Sequence, residues 1–177
     1  MKKLLLLTVL FSSIFAQTID VDKSMVKFKV RNMGVRDVTG TITDMQGTVE
    51  FDAENPDSSY FDVTVRVNTI NTDNNKRDAH LKNEDFFETD KWPTLRFKSK
   101  RIVKQDEIFG TYGSLTIKNV TKDVFVPFRI EETDKTITFM GGNIINRLDY
   151  NVGESTDTFK VGNEINVEVI CVLKKKK

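Results

Sequence analysis

His80 is the one histidine of the chain, standing two residues after Asp78 and five before Asp85. An imidazole between two carboxylates suits acid–base chemistry: one carboxylate orients the ring while the ring moves a proton near neutral pH. The alternative is plainer. On a short polar helix the ring hydrogen-bonds its neighbours or fixes the helix in place, and the rest of the sequence supplies no catalytic company. There is no Gly-x-Ser-x-Gly elbow, no phosphate-cradling glycine loop and no dinucleotide fingerprint. One histidine and the single, distant Cys171 do not make a zinc or haem site. The thiol falls on the apolar face of the last strand-like segment, which predicts a buried small hydrophobe.

His80 belongs to the one long interruption of a strand-rich sequence, residues 71–93. That segment also holds Phe86, Phe87 and the single tryptophan, Trp92. Asn74 as N-cap predicts two helical turns over 74–82, and Glu84 to Glu88 add a short turn before Trp92-Pro93 ends it. Aromatics beside such a helix either plug a core or frame a portal.

What must position this segment is a set of strands. Val26, Phe28 and Val30 alternate with lysines and an arginine, and Phe61, Val63, Val65 and Val67 alternate with polar residues. The same period of two marks Leu95 and Phe97, Val124 to Ile130, and Ile165 to Leu173. About eight antiparallel strands follow, near 24–31, 38–51, 60–68, 94–103, 107–118, 122–132, 135–145 and 163–173, each with one apolar face. Between residues 38 and 51 the apolar parity switches from even to odd, which predicts a β-bulge at Asp44 to Gly47. Gly110, Gly113, Gly141 and Gly142 inside strands mark bends or close backbone approach. The fold class is all-β: an antiparallel barrel with a short helical segment between its third and fourth strands, a two-sheet sandwich being the competitor. Its inner face is nearly free of charge, which fits a solid core and an oily cavity equally well.

Composition sets the compartment. Lys2 and Lys3, the apolar run Leu4 to Phe11 and the small-residue end at Ala16 predict an export signal over residues 1–16. Its removal takes two lysines and no acid, lowering Lys plus Arg from 27 to 25 against 26 Asp plus Glu. One domain, 17–173, remains, followed by a basic tail, 174–177. The expected location is the periplasm. The tail suits a solubilising disordered end or a transient touch on an anionic membrane surface. No basic face of the kind nucleic acid requires is present, so no nucleic-acid partner is expected. Asn119-Val120-Thr121 matches a glycosylation acceptor and is assigned no role, while Arg147 and Asp149 are expected to pair and steady a loop.

A spaced series of motifs carries a family resemblance. It runs through Ser24-Met-Val-Lys-Phe28, Val38-Thr-Gly40, Ile70-Asn-Thr72, Arg77-Asp-Ala-His-Leu81 and Asp85-Phe-Phe87. It continues with Trp92-Pro-Thr-Leu-Arg-Phe97, Gly113-Ser-Leu-Thr-Ile117, Ile145-Asn-Arg147 and Val161-Gly162. In this order, across nearly the whole mature chain, it resembles the YceI-like family. Trp92, Asn119 and Asn32 depart from that family's usual Tyr, Gly and His without breaking the framework. The resemblance implies a lipocalin-like barrel with an elongated apolar pocket, partly closed by the helical segment, that holds a polyisoprenoid, quinone-like or fatty-acyl lipid. It implies no cofactor and no established catalysis.

The expectation is therefore a non-enzymatic lipid-binding protein. Strand parity, not any family contact pattern, selects Phe28, Val30, Val65, Phe97, Leu115, Phe128, Val167 and Val169 as cavity lining. Phe86, Phe87 and Trp92 are portal or plug candidates, and Arg77 and His80 are candidate head-group partners. Two alternatives stay open: an enzyme acting on a bound lipid through His80, and a stress-related interaction module with a filled core. A homodimer is left open as well.

Overall fold

The computed structural model describes residues 17–175. The predicted export signal at residues 1–16 lies outside the described residues, as do the last two lysines. Ten antiparallel strands form one sheet. They are β1 (Thr18–Ile19), β2 (Met25–Asn32), β3 (Arg36–Ile42), β4 (Gln46–Glu50) and β5 (Tyr60–Arg66), then β6 (Thr94–Gln105), β7 (Ile108–Ile117), β8 (Val120–Glu132), β9 (Thr136–Asn146) and β10 (Val161–Lys174). The order across the sheet is β3-β2-β10-β9-β8-β7-β6-β5-β4, with β1 added beside β10. The sheet curls into a half-barrel. Its two end strands, β3 and β4, follow each other in the chain, so the corner Thr43 to Met45 spans the opening covalently.

That corner is where the sequence changes parity, and the break is sharper than a bulge. Asp44 takes a left-handed φ of 55° and Gly47 a φ of 133°. A Cβ on Gly47 would collide with the Asp62 carbonyl on β5, so glycine is required there. One expected strand over 38–51 thus becomes two. β1 is an addition, because two residues carry no readable alternation.

A true bulge lies in β6. The register slips between Ser99 and Arg101, leaving Lys100 as the extra residue. Apolar parity therefore moves from Leu95 and Phe97 to the fully buried Ile102. The Ser99 hydroxyl turns inward and accepts a 2.8 Å bond from the Phe61 amide.

The predicted helix is present as α1 (Asn75–Lys82), and Asn74 caps it by accepting from the Arg77 amide at 3.0 Å. The residues expected to form a tail begin differently. Lys174 closes β10 and pairs with the buried Asp20 at 3.2 Å, while Lys175 Nζ reaches Glu132 at 2.5 Å. The strand and its partners hold both lysines, so the expected free end does not start at Lys174.

The inner face divides along the strands. Toward the β6–β7 and β8–β9 turns it is filled by Phe51, Phe61, Phe109, Phe128 and Phe139. Phe51 meets Phe109 and Phe139 nearly edge-on, each at 5.2 Å between ring centres. Met45, Ile102 and Leu173 complete this plug. Toward α1 the wall is mostly aliphatic.

Candidate functional site

The aliphatic half encloses a cavity of about 270 Å³. Its wall comes from the in-phase positions of successive strands: Val26, Phe28 and Val30 of β2, Val63 and Val65 of β5, Leu95 and Phe97 of β6, and Leu115 of β7. Val124 and Val126 of β8, and Ile165, Val167 and Val169 of β10, complete it. The aromatic plug forms the floor. Glycines make room for the larger wall residues, since the Phe28 ring lies over Gly40 and the Phe97 ring over Gly113.

The roof is the segment after α1. Phe86 is 5% exposed and packs with Tyr150, Val152 and Ile117, and Leu81 and Phe87 pack beside it. Gly153, at a left-handed φ of 66°, passes so close to the Phe86 ring that a Cβ there would stand 2.7 Å from it. A polar clasp fastens α1 itself. The amide and hydroxyl of Thr72 both donate to Asp78 Oδ1, at 3.0 and 2.5 Å. Arg77 donates from Nε to the Thr72 hydroxyl at 2.7 Å and from Nη2 to the Thr72 carbonyl at 2.8 Å.

Arg147 ties the same end together. The residue is 4% exposed, and its five N–H groups reach the carbonyls of Gly162, Val152, Gly153, Thr156 and Val161 at 2.5–3.1 Å. Burial pulls its pKa below the usual arginine value. The expected pair with Asp149 is not made, because Asp149 faces Lys122 at 3.1 Å. The loop-steadying role stands, but its partners are backbone carbonyls. With every donor engaged, Arg147 borders the cavity without a free N–H for a ligand.

Ten of the thirteen residues singled out from the sequence border the cavity: Phe28, Val30, Val65, Phe86, Phe87, Phe97, Leu115, Phe128, Val167 and Val169. Three lie elsewhere. Arg77 is held in the Thr72 clasp, and Trp92 is half-buried beneath Lys91, whose Nζ stands 5.5 Å from its ring centre. His80 faces outward, with Nε2 3.0 Å from Asp85 Oδ2 and both side chains more than half exposed. Its ring meets Phe86 in a T-shaped contact, 5.1 Å between ring centres. An exposed hydrogen-bonded pair on the outer side of the roof does not serve a reaction inside it, so the acid–base reading loses its geometry.

Sequence reasoning missed Asn143, which enters the wall from β9 at an in-phase position between Phe139, Gly141 and Ile145. A polar residue on an otherwise apolar parity was the available signal. It also missed Tyr150 and Val152, which arrive from a loop where no period operates. Cys171 is buried, and desolvation pushes its thiol up to about 12, so it serves as wall and not as a nucleophile. What the cavity offers is hydrocarbon surface with few polar groups. It can take up an apolar chain.

Known proteins agree with this geometry. Protein YceI of Escherichia coli is 34% identical over 101 residues, 57% of this chain and 53% of that protein. The chain spans about half the length of the curated relatives it matches. Among solved structures, BcnA of Burkholderia cenocepacia superposes with a TM-score of 0.82 at 25% identity, covering 87% of this chain and 98% of that one. A polyisoprenoid binding domain from Saccharophagus degradans shares the fold at 13% identity, with a TM-score of 0.73 and coverage of 91% and 99%. The model of the YceI-like domain matches residues 17–173, and the chain belongs to that family.

Proposed function

We propose that this protein binds the hydrocarbon chain of an isoprenoid-, quinone- or acyl-type amphiphile and stores or carries it in the periplasm. The observation that carries the reading is the cavity, whose lining is almost wholly aliphatic and aromatic carbon. Its volume is near the lower end of the ~300–1,000 Å³ usual for ligand sites, which suits a slim chain. Each buried CH₂ contributes roughly 0.8 kcal/mol, so one five-carbon unit gives about 3–4 kcal/mol before ordering costs. The polyisoprenoid-binding relative supports the ligand class, and the signal-like residues 1–16 support the compartment. The reading is binding: the thiol in the cavity wall is buried and pushed up by desolvation, and His80 faces outward.

The test is to purify the protein gently, extract it with solvent and identify what is released by mass spectrometry. A prenyl or acyl lipid in near-stoichiometric amount is expected. Empty extracts, together with added prenyl and acyl chains binding no tighter than millimolar, overturn the proposal.

A further inference from the structure

The half-barrel wall has a seam. β8 and β9 form a hairpin long enough for a full ladder, yet they pair only from Glu132↔Ile137 to Phe128↔Gly141. Beyond Gly141 the register would continue as Pro127 with Gly142 and Phe125 with Ile144, and there the pairing stops. β9 keeps its full pairing with β10 along the same stretch, and β8 keeps its own with β7. The separation therefore belongs to this one interface.

Two residues cause it. A Cβ on Gly141 would stand 2.7 Å from the Pro127 carbonyl oxygen, so that carbonyl faces β9. In an antiparallel ladder a residue's N–H and C=O point to the same neighbour. The face of Pro127 turned to β9 thus lacks its donor, which ends a ladder as proline does at a sheet edge. The next rung would join the Ile144 amide to the Phe125 carbonyl. Instead the Asn143 side chain takes both groups: Nδ2 donates to the Phe125 carbonyl at 2.7 Å, and Oδ1 accepts from the Ile144 amide at 2.7 Å. One primary amide thus takes the donor and the acceptor of one of the two bonds that this rung would make.

The seam is apolar on both sides. Val124, Val126 and Ile145 border it within the cavity. Outside, Phe125 and Ile144 are 41% and 57% exposed, and the Phe125 ring packs against Gly110 with the Tyr112 ring centre 4.7 Å away. The roof, by contrast, is held by the buried Phe86 against Tyr150, Val152 and Ile117, and its segment is tied at its two ends by the Thr41–Asn71 amide pair and by the Val67 amide donating to the Pro93 carbonyl. Across the open stretch of the seam, the Asn143 amide supplies the side-chain hydrogen bond.

We propose that the β8–β9 seam is a side entrance through which an apolar chain passes into the cavity, with Asn143 as its latch and Phe125 and Ile144 as its outer lip. The inference rests on the lipid-binding reading and adds the route. The test locks the seam. Phe125→Cys with Ile144→Cys bridges it when oxidised, and Arg129→Cys with Met140→Cys bridges the neighbouring paired rung as a control. Uptake and release of a polyene fatty acid that fluoresces on burial are followed in the unaltered protein and in each pair, oxidised and reduced. The oxidised seam lock is expected to slow both rates at least tenfold, with recovery on reduction and no change in the control. Asn143→Val, which lets the rung close without any bridge, is expected to slow exchange severalfold. Unchanged rates in both the lock and Asn143→Val overturn the entrance while leaving lipid binding intact. No uptake of the fatty acid or of a prenyl alcohol by the unaltered protein overturns the lipid reading instead.

Discussion

The two halves of the inner face come from the same alternating strands, yet one is solid and the other hollow. Toward the β6–β7 turn, five phenylalanines close on one another at 5–6 Å between ring centres, around the buried Ile102, Met45 and Leu173. Toward α1, valines, leucines and isoleucines make up most of the wall, with Phe28 and Phe97 laid against Gly40 and Gly113, and a cavity remains between them. Period two set the inward direction of every strand; side-chain reach then decided which half closed. Filling and hollowness are a difference of residue size at equivalent positions, and substitution can move the boundary in either direction.

The largest expected effect breaks the solid half. Phe139 is 6% exposed and touches Phe51, Phe61 and Phe128. Phe139→Ala removes a ring from a packed cluster and is expected to cost about 3–5 kcal/mol in urea unfolding. The same experiment on the hollow half, Val167→Ala, is expected to cost under about 1.5 kcal/mol, because that side chain already borders empty space. Equal losses would show that the two halves are packed alike.

Next in size is the fastening of the hollow half. Arg147→Met leaves five carbonyls without their donor, and water at the loop surface re-solvates only some of them. A loss of about 2–4 kcal/mol in the same unfolding measurement is expected, with faster proteolysis around residues 151–162. A smaller effect on stability and a large one on binding come from filling the cavity. Val167→Phe is expected to change stability by about 1 kcal/mol or less, since the added ring enters existing space. Chain binding, measured by fluorescence titration, should weaken at least tenfold.

How much of this could be read beforehand follows from what periodicity reports. The strand faces, the helix with its Asn74 cap and most of the wall were legible, because in-phase valines and phenylalanines announce burial without further information. The hollow itself was not, since the same pattern describes a filled barrel. Asn143 escaped because its effect depends on the register of β8 against β9, which no local pattern contains. Arg147 was assigned a carboxylate from its neighbour in sequence. Its real acceptors are carbonyls between five and fifteen residues away, three in a loop that has no period and two at the start of β10. Sequence favoured a histidine that bonds its neighbours or fixes the helix over a catalytic one, but it also named His80 as a head-group partner, and the fold places the ring on the outer side, away from the cavity.

His80 gives the smallest expected effect and the sharpest contrast with its neighbour. His80 and Asp78 sit two apart on α1, but Asp78 is buried in the Thr72 clasp while His80 and Asp85 meet in solvent. An exposed pair contributes about 0–1 kcal/mol, and the T-shaped contact with Phe86 adds little to it. His80→Ala is therefore expected to shift stability by no more than about 1 kcal/mol and to leave chain affinity unchanged within twofold. Asp78→Ala frees both Thr72 donors and should cost about 1–3 kcal/mol in the same assay. If His80→Ala instead abolished binding, or revealed turnover of a bound lipid in the unaltered protein, the roof would be a working part of the site and the division between an outer pin and an inner wall would fail.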